Sequence, residues 1–194
     1  MIKKYLDLVD PDGAGFWNMK PEALSLALVA AAGFILYSQN EALRHFLFIL
    51  DWFNIIIHES GHPIFGMLSL GNRWIMFAGG TMMQLLWPIG CYGLFLYQRN
   101  PKSADFCIFW FGSNFLGIGP YMADARAQIL PLIGGGEHDW TYLFNSVGLI
   151  NYDRQIGAAA LYFGCFAMAC SALTLNNHIR NPKTNTKTAT ETFS

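Results

Sequence analysis

Asp51-Trp52-Phe53-Asn54-Ile55-Ile56-Ile57-His58-Glu59-Ser60-Gly61-His62-Pro63 is an apolar helix with one polar face. Asp51, Asn54, His58 and His62 recur at the helical period, whereas Phe53, Ile56, Ile57 and Ile64 fill the remaining circumference. A stripe of that kind points into a bundle. Two histidines four residues apart lie about 40° apart around a helix and one turn along it, so both imidazoles can reach one ion. Glu59, beside the first histidine, lies at the edge of that face, where a carboxylate can take a proton from water. Pro63 cannot donate to the carbonyl of Glu59 and loosens the helix at this point. With five histidines in 194 residues, chance placement of such a motif has a probability on the order of a few in a thousand.

A catalytic zinc site needs a third protein ligand and an open position. The residues that could supply the ligand are Asp124, His138 and Asp139. Asp105 opens an apolar run and is expected to cap it. Asp51 is expected either to orient a ligand histidine or to sit at a helix interface.

The rest of the chain sets the solvent around this motif. It is 53% hydrophobic, 15% aromatic and 13% charged, with a mean hydropathy of +0.29. Soluble domains carry about 25% charged residues, so the composition points to lipid. The net charge of −1 gives no reason to expect a nucleic-acid partner. The four cysteines lie in apolar runs without metal-type spacing and read as buried thiols.

Apolar runs predict helices over 22–38, 42–70, 73–98, 104–118 and 156–175, with a shorter piece at 141–150. The fold expected is an all-α integral membrane protein, a bundle of about five to six transmembrane helices with a re-entrant or irregular segment near the metal site. That segment is 119–140, which is too polar to face lipid. Gly117, Gly119 and Pro120 are expected to break the helix before it. Residues 1–20 read as a membrane-surface segment, 21–176 as the membrane-embedded domain and 177–194 as a disordered polar tail. The first apolar run reads as a retained anchor, not a cleaved signal. If 128–150 crosses the membrane, basic residues concentrate on the side of the N-terminus, which places both termini in the cytoplasm.

Three stretches together resemble the site-2 proteases, intramembrane zinc metalloproteases. The first is His58-Glu59-Ser60-Gly61-His62-Pro63, and the second Gly80-Thr81-Met82-Met83-Gln84. The third runs from Asn114-Phe115-Leu116-Gly117 through Gly119-Pro120 to Asp124-Ala125-Arg126. The resemblance covers roughly residues 45–130. It departs from the family at Gln84, at Ala125 and in the spacing from Asn114 to Asp124, and Gly134-Gly135-Gly136-Glu137-His138-Asp139-Trp140 has no counterpart in it.

The resemblance implies a membrane-embedded, multi-pass metalloprotease, in the inner membrane if the source is bacterial, in a compact form without accessory domains. It implies Zn2+ held by His58, His62 and Asp124, Glu59 as the catalytic base, and a membrane protein or peptide as substrate. Gln84 and Asn114 are each candidates for an oxyanion donor or for helix–helix hydrogen bonding. The competing reading is a pseudoprotease that binds membrane clients without cutting them. A di-iron oxidase needs several histidine boxes, and this chain has one pair.

Overall fold

Two helical hairpins are closed by the same kind of turn. In the computed structural model, which describes residues 41–132 and 136–180, α1 spans Glu41–Leu68, α2 Arg73–Tyr97 and α3 Pro101–Ala123. After α1, Leu70 takes a left-handed φ of 55°. The N–H of Gly71 then returns to the carbonyl of Gly66 at 2.9 Å and that of Leu70 to Met67 at 3.1 Å. After α2, Arg99 takes the same φ of 55°, with Asn100 N–H on Phe95 at 2.8 Å and Arg99 N–H on Leu96 at 3.0 Å. Both are Schellman closures, which satisfy the last carbonyls of a helix.

An asparagine follows each closure and starts the next helix. Asn72 Oδ1 accepts from the N–H groups of Trp74 at 3.0 Å and Ile75 at 3.3 Å. Asn100 Oδ1 accepts from Ser103 N–H at 3.2 Å, and Pro101 fills the first helical position. Asn100 is therefore the cap of α3. Asp105, expected in that role, lies inside the helix and accepts from Thr174 Oγ1 at 3.0 Å.

The described residues are all-α, with no strand among them. α4 spans Asp139–Ser146, and a 3-10 turn at Ile150–Tyr152 leads into α5, Asp153–Arg180. α5 extends past residue 176, where the polar tail was expected to start. The expected surface segment 1–20, the helix at 22–38 and residues 181–194 lie outside the described residues.

α3 runs unbroken to Ala123 through Gly117, Gly119 and Pro120. The expected break is absent because the glycines permit close helix–helix contact, which holds α3 in place past Pro120. A Cβ on Gly119 would stand 2.7 Å from the carbonyl oxygen of Gly157, and one on Gly112 would stand 2.8 Å from that of Gly164. The two pairs, each seven residues apart, let α3 and α5 meet backbone to backbone in antiparallel register. Cys165, Ala169 and Cys170 pack beside them with Leu116, Leu161, Phe166 and Leu173. All four cysteines are free thiols.

α1 and α2 cross as closely. A Cβ on Gly61 would collide with the Gly79 carbonyl oxygen. α4 rests on α2 through Phe77, Ala78 and Leu143, with the rings of Phe77 and Tyr142 stacked at 4.4 Å. The Arg73 guanidinium covers Tyr142 at 5.1 Å and binds Glu137 at 3.0 Å. These contacts hold the first residue of α4, Asp139, over the histidine face of α1.

Among the described residues one helix, Ile150–Asn176, is long and apolar enough to cross a membrane. The other long helices fall short of the five to six spans expected, and the cause is visible in α1. Asp51, Asn54, His58, Glu59 and His62 interrupt its apolar sequence.

Candidate metal centre

His58 and His62 sit one turn apart on α1, ring centroids 5.0 Å apart and nearly perpendicular at 76°. Asp139 reaches between them. Its Oδ2 lies 3.0 Å from His58 Nε2 and 3.4 Å from His62 Nε2. One ligand atom from each of the three residues falls within 4.8 Å of the other two.

The tautomers follow from the partners on the far side of each ring. His62 Nδ1 faces the carbonyl oxygen of Met76 at 2.9 Å. A carbonyl only accepts, so Nδ1 carries the proton and Nε2 presents a lone pair. His58 is fixed by a longer relay. Asn114 Nδ2 donates to the backbone carbonyl of Gln84 at 3.0 Å, which turns Asn114 Oδ1 toward the Gln84 side chain. Gln84 Nε2 donates to that oxygen at 3.0 Å and so turns its own Oε1 to His58 Nδ1 at 3.1 Å. His58 therefore donates from Nδ1 and aims its Nε2 lone pair at the same point. The backbone carbonyl at the end of the relay settles the orientation of every group in it.

Two lone pairs and a carboxylate oxygen thus converge, an arrangement that repels unless a cation or protons stand between them. With protons on both Nε2 atoms in place of a cation, the hydrogen bonds from His58 and His62 outweigh the burial that would push the Asp139 carboxyl up, and hold its pKa below the usual range. Gly80 faces the same point. A Cβ there would stand 2.6 Å from His58 Nε2 and 2.7 Å from His62 Nε2. Glycine leaves the convergence open, and the donor set of two imidazoles and one carboxylate fits a divalent ion. This His58–His62–Asp139 group can hold a metal ion. Glu59 is exposed, outside the triad, and acts electrostatically on His62 and on Tyr121.

The resemblance implied Asp124 as the third ligand; the group that could hold an ion among the described residues is His58, His62 and Asp139, without Asp124. Asp124 is buried at the end of α3 and ties down the turn that follows. Its Oδ1 accepts from Ile129 N–H at 3.0 Å and its Oδ2 from Leu130 N–H at 2.9 Å. Asp139, an open alternative from the sequence, takes the third place. Arg126 is committed elsewhere, to the buried Asp153 at 2.7 Å. The hydrogen bond to Asp153 raises the Arg126 pKa.

His138 is not a ligand either. Its Nδ1 accepts from Thr141 N–H at 3.3 Å as the cap of α4. The proton is then on Nε2, which faces Asp124 Oδ2 at 3.8 Å. Burial lowers the His138 pKa, and the charges of Asp124 and Asp139 only partly offset this.

Asp51 is exposed, and the Nδ1 atoms of His58 and His62 face Gln84 and the Met76 carbonyl. Asn54 is buried and accepts from Trp110 Nε1 at 2.8 Å. The sequence reading did not single out Tyr121. Its oxygen accepts the Asp139 N–H at 3.2 Å, and its ring stacks on His138 at 4.2 Å. Its signal was a lone phenol at the end of an apolar helix, inside the third family-like stretch.

Among the described residues, fold and site define an all-helical arrangement with a two-histidine, one-aspartate candidate metal centre. No family model, curated protein or solved structure matches the chain.

Proposed function

We propose that the protein is a membrane-embedded zinc metallopeptidase that hydrolyses peptide bonds of membrane protein or peptide substrates in or beside the bilayer, as the site-2 protease resemblance suggests. His58, His62 and Asp139 hold the ion, and Glu59 is the general base. The observation that carries this reading is the convergence of three acceptor atoms from α1 and α4, with a free carboxylate one residue from the first histidine.

Two imidazoles and a carboxylate with room for a fourth ligand make the donor set of a catalytic zinc. Bound there, zinc would supply Lewis acidity, lowering the pKa of water to ~7 and polarising a carbonyl. Glu59 takes a proton from the attacking water as the new C–O bond forms. It returns that proton to the amide nitrogen as the C–N bond breaks, leaving a carboxylic acid and an amine. Gln84 and Asn114 spend their amide groups on each other and on His58. They therefore serve as ligand-orienting groups in this mechanism.

Two observations support a membrane location. Only 33% of the apolar window in Ile150–Asn176 is buried, unlike the core helix of a soluble protein. Ile56, Met67, Leu68, Trp87, Leu94 and Phe106 on α1 to α3 are also exposed, an apolar surface suited to lipid. Multi-pass embedding follows if these faces meet acyl chains.

The test is zinc-loaded protein in detergent, incubated with a set of transmembrane peptides and read by mass spectrometry. The wild type produces new termini. Glu59→Gln keeps its zinc and produces none. Zinc loss in Glu59→Gln would make Glu59 a ligand, and equal cleavage would remove it from the mechanism. Zinc binding with no cleavage by the wild type would favour a client-binding pseudoprotease.

A further inference from the structure

We propose that the phenol of Tyr121 is the hydrogen-bond donor to the oxyanion that develops on the scissile carbonyl, an inference that rests on the metallopeptidase reading. An oxyanion donor must be close to the ion, hold its position before the substrate arrives and have a proton to give. Tyr121 is close, because its oxygen accepts the backbone N–H of Asp139, the third ligand, at 3.2 Å.

It is also held in place. Its ring stacks on His138 at 4.2 Å with a 32° tilt. The same ring meets His58 edge-on at 6.3 Å and 71°. His138 is in turn fully buried and fixed as the cap of α4. The phenol is therefore wedged between the helix that carries two ligands and the segment that delivers the third.

Its proton follows from simple counting. A phenol has one O–H and two lone pairs. One lone pair receives the Asp139 N–H, which leaves the proton to be donated. Within the site the phenol interacts with the Asp139 carboxylate. A substrate carbonyl approaching the ion gains negative charge and becomes the better acceptor. The amides of Gln84 and Asn114 are already committed to the relay behind His58.

The experiment needs no natural substrate. Protein loaded with Co2+ is titrated with acetohydroxamate and followed by the visible absorption of the cobalt. The deprotonated hydroxamate chelates a metal through its N–O oxygen and its carbonyl oxygen, and the carbonyl oxygen carries part of the negative charge. Wild type and Tyr121→Phe should take up cobalt equally. The variant should bind acetohydroxamate about 10-fold more weakly, as expected for loss of a hydrogen bond to a charged group. Placing 3-fluorotyrosine at 121, a stronger donor of nearly the same shape, should tighten binding below its own pKa.

Equal hydroxamate affinity in wild type and Tyr121→Phe would overturn the proposal. So would loss of cobalt by Tyr121→Phe together with unchanged affinity in the fluorotyrosine protein, since Tyr121 would then only position Asp139. Failure of the wild type to bind cobalt would instead refute the metal site on which the proposal rests.

Discussion

Two residues without side-chain chemistry decide whether the centre can form, and they mark how far the sequence could be read. Gly80 is a hole in α2 opposite both imidazoles, and the Met76 carbonyl, one turn earlier, fixes His62. Gly80→Ala would put a methyl group 2.6 Å from His58 Nε2, where an ion belongs, while leaving the helix intact. The expected outcome is a folded protein whose zinc affinity falls on the order of 100-fold, as for a lost orienting contact or worse. Helix content by circular dichroism and zinc affinity by competition with a chelator check it. Unchanged affinity would mean that the ion sits elsewhere. The histidine pair was legible because its spacing is local, i to i+4. Asp139 was legible only as one of three possibilities, since 76 residues lie between it and His62. Asp124 and Asp139 both follow helix-breaking sequence, and only the packing of Phe77 on Tyr142 shows which one is carried over α1.

At the scale of elements, helix positions followed from apolar runs and turn residues, whereas helix ends depended on caps. Asn72 and Asn100 begin α2 and α3, and Asp105 does not. Gly119 and Pro120 look like a break in one dimension. In three dimensions the glycine is the point where α3 touches α5, a function that no single-helix pattern carries. Gly112 has the same role one heptad earlier. Gly112→Leu would drive a branched side chain into the Gly164 carbonyl and the Met168 side chain. Overpacking of this kind costs about 1–3 kcal/mol, with more expected here because backbone must move. Thermal unfolding in detergent should show the loss, with zinc stoichiometry preserved in the folded fraction because the centre lies on α1 and α4. Wild-type stability in Gly112→Leu would contradict the close α3–α5 contact.

The whole molecule poses the question of solvent. Its composition speaks for lipid, yet one described helix alone satisfies length and apolarity together. The two observations are compatible if the exposed Trp52, Ile56, Trp87 and Phe106 meet acyl chains while Asn54, Gln84, Asn114 and Asp139 stay buried inside. The protein should then stay with membranes through alkaline carbonate washing, and its release into the supernatant would count against embedding. The three ligands come from two helices far apart in sequence, so the folded molecule is what makes the site. Zinc content of purified wild type, His58→Ala, His62→Ala, Asp139→Ala and Asp124→Asn, each confirmed as folded, tests this most directly. The account predicts about one zinc per chain in wild type and in Asp124→Asn, and little or none in the other three. Full zinc in Asp139→Ala, or its loss in folded Asp124→Asn, would contradict it.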